Sequence, residues 1–164
     1  YSISSRLLFS FFENRDIFSS LHILLQREVA ERLVADPGTK EYGVLTVLLS
    51  ASAIVDILFH IPGTAFFPVP EVVSTLVRVT FPETPPVPVS DLRLLTLLVK
   101  SSFAGRRKTL RNTLRNLPIP GVSAEIIAAA AAETDIDLRR RGETLSCQEF
   151  CRFTDAVARF RDEG

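Results

Sequence analysis

The basic residues of the second half are the first candidates for chemistry, because they are concentrated in one segment. Residues 92–124 contain seven lysines and arginines and no aspartate or glutamate. They are Arg93, Lys100, Arg106, Arg107, Lys108, Arg111 and Arg115. A one-sided positive segment of this kind can bind a polyanion even where the net charge of the chain is zero. The run at 106–108 can equally be a solvated helix face, which is the usual place of a short charge run.

Two further groups of residues are candidates for ligand or metal binding. Residues 66–70 read Phe-Phe-Pro-Val-Pro, and such aromatics are more often core side chains beside a proline turn than ligand contacts. Cys147 and Cys151 lie one helical turn apart, and this spacing alone is not a zinc site. The two histidines, His22 and His60, fall on predicted strands. We therefore predict free thiols and no metal, and two cysteines without a disulfide framework favour a reducing compartment.

The order of the predicted elements in the first half is that of an α/β fold. Hydrophobic spacing predicts helices over residues 3–12, 28–35 and 42–53, and strands over residues 17–26, 54–61 and 72–81. Three strands alone leave a sheet edge to be paired, which indicates further residues upstream. The chain also starts at Tyr1 and contains no methionine, so we expect it to be a piece of a longer protein.

The proline-rich stretch at 82–88 predicts a domain boundary, because such a sequence is stiff and extended. Beyond it every segment is predicted to be helical. Ser90 and Ser123 are the predicted caps of two helices, and Ser146 with Glu149 forms a predicted capping box before the last. The prediction is thus an α/β part over residues 1–82 and a small helical domain over residues 83–164.

Length and composition exclude several classes of protein. The 164 residues are 46% hydrophobic, with 19 basic and 19 acidic side chains. This composition excludes intrinsic disorder, and zero net charge excludes a uniformly basic nucleic-acid-binding domain. No uncharged apolar run reaches the roughly 18 residues of a membrane span. We therefore expect no membrane segment and a cytoplasmic location.

Four segments, in order and with sensible spacing, carry a family pattern. They read QREVAERLVA and PGTKEYGVL over residues 26–45, FFPVP over 66–70, FAGRRKTLRN over 103–112 and RGETLS over 141–146. Together they resemble the ribosomal small-subunit RNA adenine dimethyltransferases along nearly the whole chain. The resemblance implies the C-terminal half of a Rossmann-like, S-adenosylmethionine-dependent methyltransferase domain, followed by a helical RNA-binding domain.

The same resemblance implies roles for individual residues. Tyr1 would be the last residue of the family's Asn-Leu-Pro-Tyr catalytic motif, and with Phe66 it would clamp a flipped-out adenine. Pro68 and Pro70 would stiffen the loop that carries Phe66. The remaining implied substrate-binding residues are Lys40, Arg106, Arg107, Lys108 and Arg111. The sequence contains no Gly-x-Gly pattern, so the residues that bind S-adenosylmethionine are expected upstream of Tyr1.

Glu71 and Val73 depart from the family pattern, and Phe67 occupies a position that varies within it. Where the family usually has Lys-Val-Asp-Ser after the proline loop, residues 71–74 read Glu-Val-Val-Ser. The local RNA contacts and loop geometry that the resemblance implies therefore do not carry over to Glu71 and Val73, while the family resemblance itself is unaffected. Phe67 occupies a variable position and is predicted to be a packing residue.

The leading functional prediction is an enzyme that dimethylates two adjacent adenines near the 3′ end of small-subunit ribosomal RNA. Its partner would be that RNA or a pre-ribosomal particle, and the protein would be a monomer with a role in ribosome assembly. This chain alone is predicted to be inactive. One alternative is a large-subunit RNA adenine methyltransferase of the erythromycin-resistance type. The other is a non-catalytic RNA-binding or assembly factor.

Overall fold

The computed structural model describes residues 4–105, 107–115, 117 and 119–163. The first half contains three helices and three strands in mixed order, and the rest of the described chain is helical. The elements are α1 (Ser4–Glu13), β1 (Ser20–Gln26), α2 (Arg27–Leu33), α3 (Val44–Ser52), β2 (Ile54–Ile61), β3 (Ser74–Thr80), α4 (Leu92–Phe103), α5 (Leu110–Thr113), α6 (Ala124–Glu133) and α7 (Cys147–Glu163). Short 3₁₀ turns lie at Arg15–Ile17, Gly63–Ala65 and Gly142–Thr144.

The three described strands form one sheet in the order β1-β3-β2. Strand β3 runs antiparallel to both neighbours, so β1 and β2 are parallel to each other without touching. Ser20 is paired with Thr80, and Thr80 with Ile54 on the other side. Within the described residues, β1 is therefore an edge strand, as the sequence predicted for a sheet of three strands.

The two faces of the sheet have different surroundings because side chains alternate along each strand. Leu25, Val77 and Val79 belong to the core on the face that the helices cover. The opposite face carries a row in which Arg78 donates hydrogen bonds to Asp56 at 2.9 and 3.1 Å. Beside that row, Phe59 is 53% exposed. One face of the sheet is thus covered and the other is open in the described chain.

Two local predictions differ from the structure. The strand predicted from residue 17 begins only at Ser20, because Ile17 closes a 3₁₀ turn and is exposed. The predicted cap Ser90 is wrong: the Asp91 carboxylate accepts the Leu94 N–H at 2.9 Å and caps α4. Ser90 instead donates its N–H and its hydroxyl to the Asp155 carboxylate on α7.

The capping box at the start of α7 is confirmed. The Ser146 hydroxyl accepts the Glu149 N–H at 3.1 Å, and the Glu149 carboxylate accepts the Ser146 N–H at 2.7 Å. Arg140 forms an ion pair with the same carboxylate. Hydrogen bonds from Arg140, and then from Ser146, hold the pKa of Glu149 below its ordinary value against the opposing effect of burial.

Replacement of the Glu149 carboxylate by an amide is expected to lower the free energy of unfolding and to weaken the dependence of this free energy on pH. The pKa of Glu149 is lower in the folded chain than in the unfolded chain, whose value is about 4.3. Its contribution is therefore present above that pH and is lost as the pH falls through the folded pKa. Glu149→Gln should lower the free energy of unfolding by about 1–2 kcal/mol at pH 7.

Urea unfolding of wild type and variant between pH 7 and pH 3 measures this effect. The difference between the two proteins should shrink toward zero at the acid end. Glu83→Gln, which changes an exposed carboxyl in the proline-rich connector, is the matched control and should keep the wild-type acid profile. A constant difference at all pH values would show that the ionised form of Glu149 contributes nothing.

A single hydrophobic core extends through both halves of the chain. The Tyr42 hydroxyl, before α3, donates to the Leu145 carbonyl at 2.9 Å, and burial raises the pKa of this phenol. The Cys147 thiol lies 3.5 Å from the Val47 carbonyl. The Gly38 N–H donates to the Glu143 carbonyl at 2.7 Å. The two halves are thus joined by buried contacts as well as by the connector.

Candidate nucleic-acid interface

The loop between β2 and β3 is held at both ends by the sheet. Ile61, the last residue of β2, is paired with Ser74, the first residue of β3. Ser74 is also paired with Gln26 on β1, and the Arg27 N–H continues that ladder by donating to the Val73 carbonyl at 2.9 Å. Residues 62–73 therefore project from a fixed base at one end of the sheet.

The base of this loop is compact because a glycine lets its two arms approach. A side-chain Cβ at Gly63 would lie only 2.8 Å from the Pro70 carbonyl oxygen, so no larger residue fits without a shift of backbone. The Ala65 N–H donates to the Pro62 carbonyl, and the Phe66 N–H donates to the Gly63 carbonyl, both at 3.0 Å. The sequence analysis assigned no role to Gly63, although the Pro62-Gly63 dipeptide is a turn signal.

Phe66 and Phe67 have different surroundings. Phe66 is partly buried and has extended backbone dihedral angles, φ −120° and ψ 155°. Phe67 is 100% exposed, so its predicted role as a packing residue is wrong. The Phe67–Pro68 peptide is cis, Pro68 is exposed and Pro70 is partly buried. The loop thus presents one partly buried ring and one fully exposed ring.

Lys40 lies apart from this loop, beside the start of α3. It lines a cleft of about 650 Å³ together with Tyr42, Gly43 and Phe103. No residue of the 62–73 loop contributes to that cleft. The structure therefore does not bring Lys40 and the aromatic loop together in one cavity. The implied RNA contact of Lys40 stays a prediction.

The basic segment after α4 is fixed by apolar anchors and carries its charges outward. Leu110 and Leu114 are buried, and the Leu110 N–H donates to the Arg140 carbonyl at 2.8 Å. The exposed basic residues are Arg107, Lys108, Arg111 and Arg115. Among the residues that the structure describes, none of these four joins a salt bridge. Tyr1 and Arg106 lie outside the described residues.

In the second basic run, residues 139–141, Arg139 and Arg140 form ion pairs within the chain, in line with the acidic residues that precede the run. Arg139 contacts Asp137 at 2.9 Å, and this pairing lowers the pKa of Asp137. Arg140 pairs with Glu149 and also donates to the Thr144 carbonyl at 2.6 Å. The two basic segments therefore differ: in the described part of the chain Arg107, Lys108, Arg111 and Arg115 join no salt bridge, while Arg139 and Arg140 are paired within the chain.

The cysteines provide no site in the described chain. Cys147 and Cys151 are both free and buried. No group of three or more His, Cys, Asp and Glu residues in the described ranges is arranged to hold a metal ion. None of the helices in those ranges is long and apolar enough to cross a bilayer.

A family model described as "Ribosomal RNA adenine dimethylase" matches residues 1–154. The chain belongs to that family. A "Ribosomal RNA small subunit methyltransferase A" from Geobacter metallireducens is 43% identical over 157 residues, which cover 96% of this chain and 57% of the relative. The protein of the same name from Desulfitobacterium hafniense is 42% identical over 164 residues, 99% of this chain and 57% of that relative. This chain thus spans little more than half the length of the curated relatives it matches.

Two solved structures show the same fold as this rRNA adenine dimethylase chain. A dimethyladenosine transferase from Plasmodium falciparum aligns with a TM-score of 0.75 and 21% identity, over 93% of this chain and 62% of that one. The 23S rRNA methyltransferase ErmE aligns with a TM-score of 0.64 and 19% identity, over 96% of this chain and 62% of that one. The predicted α/β fold, a Rossmann-like part followed by helices, is confirmed.

Proposed function

We propose that this chain is the C-terminal part of an enzyme that dimethylates N6 of two adjacent adenines near the 3′ end of small-subunit ribosomal RNA. The observation that carries the proposal is the family match over residues 1–154, with relatives at about 40% identity that are named for the small subunit. The loop at 66–70 and the basic segment are the two surfaces that support this function. The small-subunit substrate is favoured over a large-subunit one by the names of these relatives.

The proposed role of Phe66 follows from the chemistry of adenine N6. The lone pair of this nitrogen is delocalised into the ring, so the base must be held out of its stack and in a fixed orientation before it attacks a methyl group. A ring on a supported loop can provide that orientation by stacking on the adenine face. Phe66 meets this need because its N–H is bonded to Gly63 and its loop is pinned at both ends. Tyr1 is the proposed second face of the clamp.

The proposed methyl donor is S-adenosylmethionine, held mainly by residues outside this chain. Binding of such a cofactor in a Rossmann-like sheet uses a glycine-rich turn, and no two glycines here are spaced as Gly-x-Gly. The described residues also contain no buried side-chain nitrogen or oxygen atom that lacks a hydrogen-bond partner. In this proposal the residues of this chain hold the RNA, and the methyl donor is held mainly by residues outside the chain.

The proposed role of residues 83–164 is to bind ribosomal RNA as a helical domain, through Arg106, Arg107, Lys108 and Arg111. Arg107, Lys108 and Arg111 are exposed and join no salt bridge among the described residues, so they can bind phosphates without breaking an internal ion pair. Arg106 is included in the proposal on the family resemblance. A ribosomal RNA or pre-ribosomal substrate supports a cytoplasmic location, which is part of the proposal. One copy of the protein is sufficient for this proposal.

A double charge removal in this segment should weaken RNA binding and its dependence on salt. Each phosphate contact contributes about 0.7–0.9 to the slope of log affinity against log salt concentration. Arg107→Ala/Lys108→Ala should therefore reduce the slope by about 1.5 and weaken binding several-fold. Arg139→Ala is the matched control, since this arginine is already paired with Asp137. An unchanged slope in the double variant would exclude the segment from the RNA contact.

The proposed function is tested with the protein at the full length of its relatives. The purified protein is mixed with labelled S-adenosylmethionine and small-subunit particles from cells that lack the modification. Methyl incorporation, and its position from blocked reverse transcription, should fall on two adjacent adenines near the 3′ end of the RNA. Large-subunit particles should incorporate nothing.

Two outcomes would replace the proposal. Modification of large-subunit particles alone would favour the erythromycin-resistance type of reaction. Tight binding to small-subunit particles without methyl transfer, under conditions where a related enzyme is active, would favour a non-catalytic assembly factor. This chain without the upstream segment is expected to bind RNA and to transfer no methyl groups.

A further inference from the structure

Phe67 is the most exposed large hydrophobic residue in the described chain, with 100% of its surface accessible. Val69, two residues on, is 63% exposed. These side chains occupy the tip of the 62–73 loop, whose base is closed by Gly63 and by two turn hydrogen bonds. Exposed apolar side chains on a loop with a fixed base are typical of a surface that contacts a partner.

The two adjacent rings cannot serve the same face of one base. Phe66 has extended dihedral angles, and successive side chains of an extended segment point to opposite sides. The burial of the two residues agrees with this geometry, since Phe66 is partly buried and Phe67 is free. If Phe66 contacts the target adenine, Phe67 is directed away from that contact and toward whatever lies beside it.

We propose that Phe67 stacks on a nucleobase next to the target adenine and fills the place that this adenine leaves when it is flipped out. This inference rests on the proposed function and adds a second RNA contact to the same loop. Extrusion of a base breaks stacking with its neighbours, and proteins that hold a gap open in a base stack insert an apolar side chain into it. A free phenyl ring on a pinned loop supplies that group.

The residues around the tip favour a stacking contact over a charged one. Glu71, in the second arm of the same loop, is exposed, and no basic residue occurs between Gly63 and Val73. A contact made by Phe67 should therefore contribute affinity without a contribution to the salt dependence. The exposed basic segment described above should behave in the opposite way. The two surfaces can thus be separated by a salt titration.

The test uses the protein at full length and a substrate RNA that carries 2-aminopurine beside the target adenines. The fluorescence of this base rises when it is unstacked and falls when an aromatic ring stacks on it. Wild-type protein should quench the probe relative to Phe67→Ala. The variant should bind about 5- to 150-fold more weakly, the range expected for one stacked base, with an unchanged salt slope. Phe67→Trp should restore both properties.

Ile17→Ala is the matched control, because it also truncates an exposed apolar side chain, 75% accessible, outside the loop. It should leave affinity and probe fluorescence at wild-type values. If wild-type protein binds and methylates the RNA while Phe67→Ala is indistinguishable from it, the inference is wrong and the proposed function stands. If wild-type protein neither binds nor methylates, the proposed function fails first.

Two further results would assign the tip to another partner and overturn the inference. Loss of self-association in Phe67→Ala, measured by sedimentation, would make the tip a contact between copies of the protein. Loss of binding to anionic phospholipid vesicles would make it a membrane contact. In both cases RNA affinity would be unchanged by the variant.

Discussion

Phe66→Ala is expected to reduce kcat/KM for methyl transfer to the RNA substrate by about 5- to 150-fold. Stacking of an aromatic side chain on a base contributes about 1–3 kcal/mol, and each 1.4 kcal/mol corresponds to a factor of ten. The loop should keep its backbone in this variant, since the Phe66 N–H bond to the Gly63 carbonyl and the Ile61–Ser74 pairing do not involve the ring. The loss should therefore reflect the missing contact with the base.

The measurement compares initial rates at several substrate concentrations for wild type, Phe66→Ala and Phe66→Tyr. The tyrosine variant retains the ring and should recover most of the activity. Thermal unfolding of all three proteins should coincide within a few degrees, because Phe66 is only partly buried. Full activity in Phe66→Ala would exclude the ring from the clamp and leave the identity of the stacking residue to Tyr1 or Phe67.

Gly142→Ala is expected to lower the free energy of unfolding by about 3 kcal/mol, at the upper part of the range for overpacking in a protein interior. A Cβ at this position would lie 2.7 Å from the Ser102 carbonyl oxygen and 2.9 Å from both its carbonyl carbon and its Cβ. Ser102 is buried in α4, and its hydroxyl is bonded to the Leu98 carbonyl. Backbone of a packed helix cannot move aside as a flexible side chain can, so the cost is large.

Gly43→Ala is the matched control for this substitution. A Cβ there would meet nothing closer than the Glu41 carbonyl oxygen at 3.9 Å, and the extended backbone at Gly43 accepts alanine without strain. In urea unfolding, the free energies of unfolding of the two variants should differ by about 3 kcal/mol, while the dependence of that free energy on urea concentration stays the same. Equal stabilities would show that α4 and the Gly142–Thr144 turn separate more easily than their contact indicates.

The sequence predicts those features of the fold that depend on neighbouring residues. The caps at Ser123 and at Ser146 with Glu149 each require only residues three positions apart, and both are present. The cap of α4 was misplaced because Ser90 is drawn into hydrogen bonds with Asp155, which is far along the chain. A contact of that range leaves no local signal, so Asp91 could not be distinguished from its neighbour.

The same distinction applies to the candidate site. The 66–70 motif and the basic segment are visible in the sequence because residue types alone define them. The exposure of Phe67 depends on the direction in which the loop leaves the sheet, and two adjacent phenylalanines give no information about which ring is free. The need for Gly142 arises from its approach to Ser102, which only the packing of α4 determines.

The place of β3 between β1 and β2 has a consequence for the order of events during synthesis. The ribosome makes β1 and β2 first, yet in the described sheet each of them pairs only with β3. Neither strand gains its β3 partner until residue 80 has left the exit tunnel, and the pairing of Ser20 with Thr80 then closes a long loop. The aromatic loop at 62–73 is made before the strand that fixes it. The surface proposed to hold the target base is thus completed only when the last strand joins the middle of the sheet.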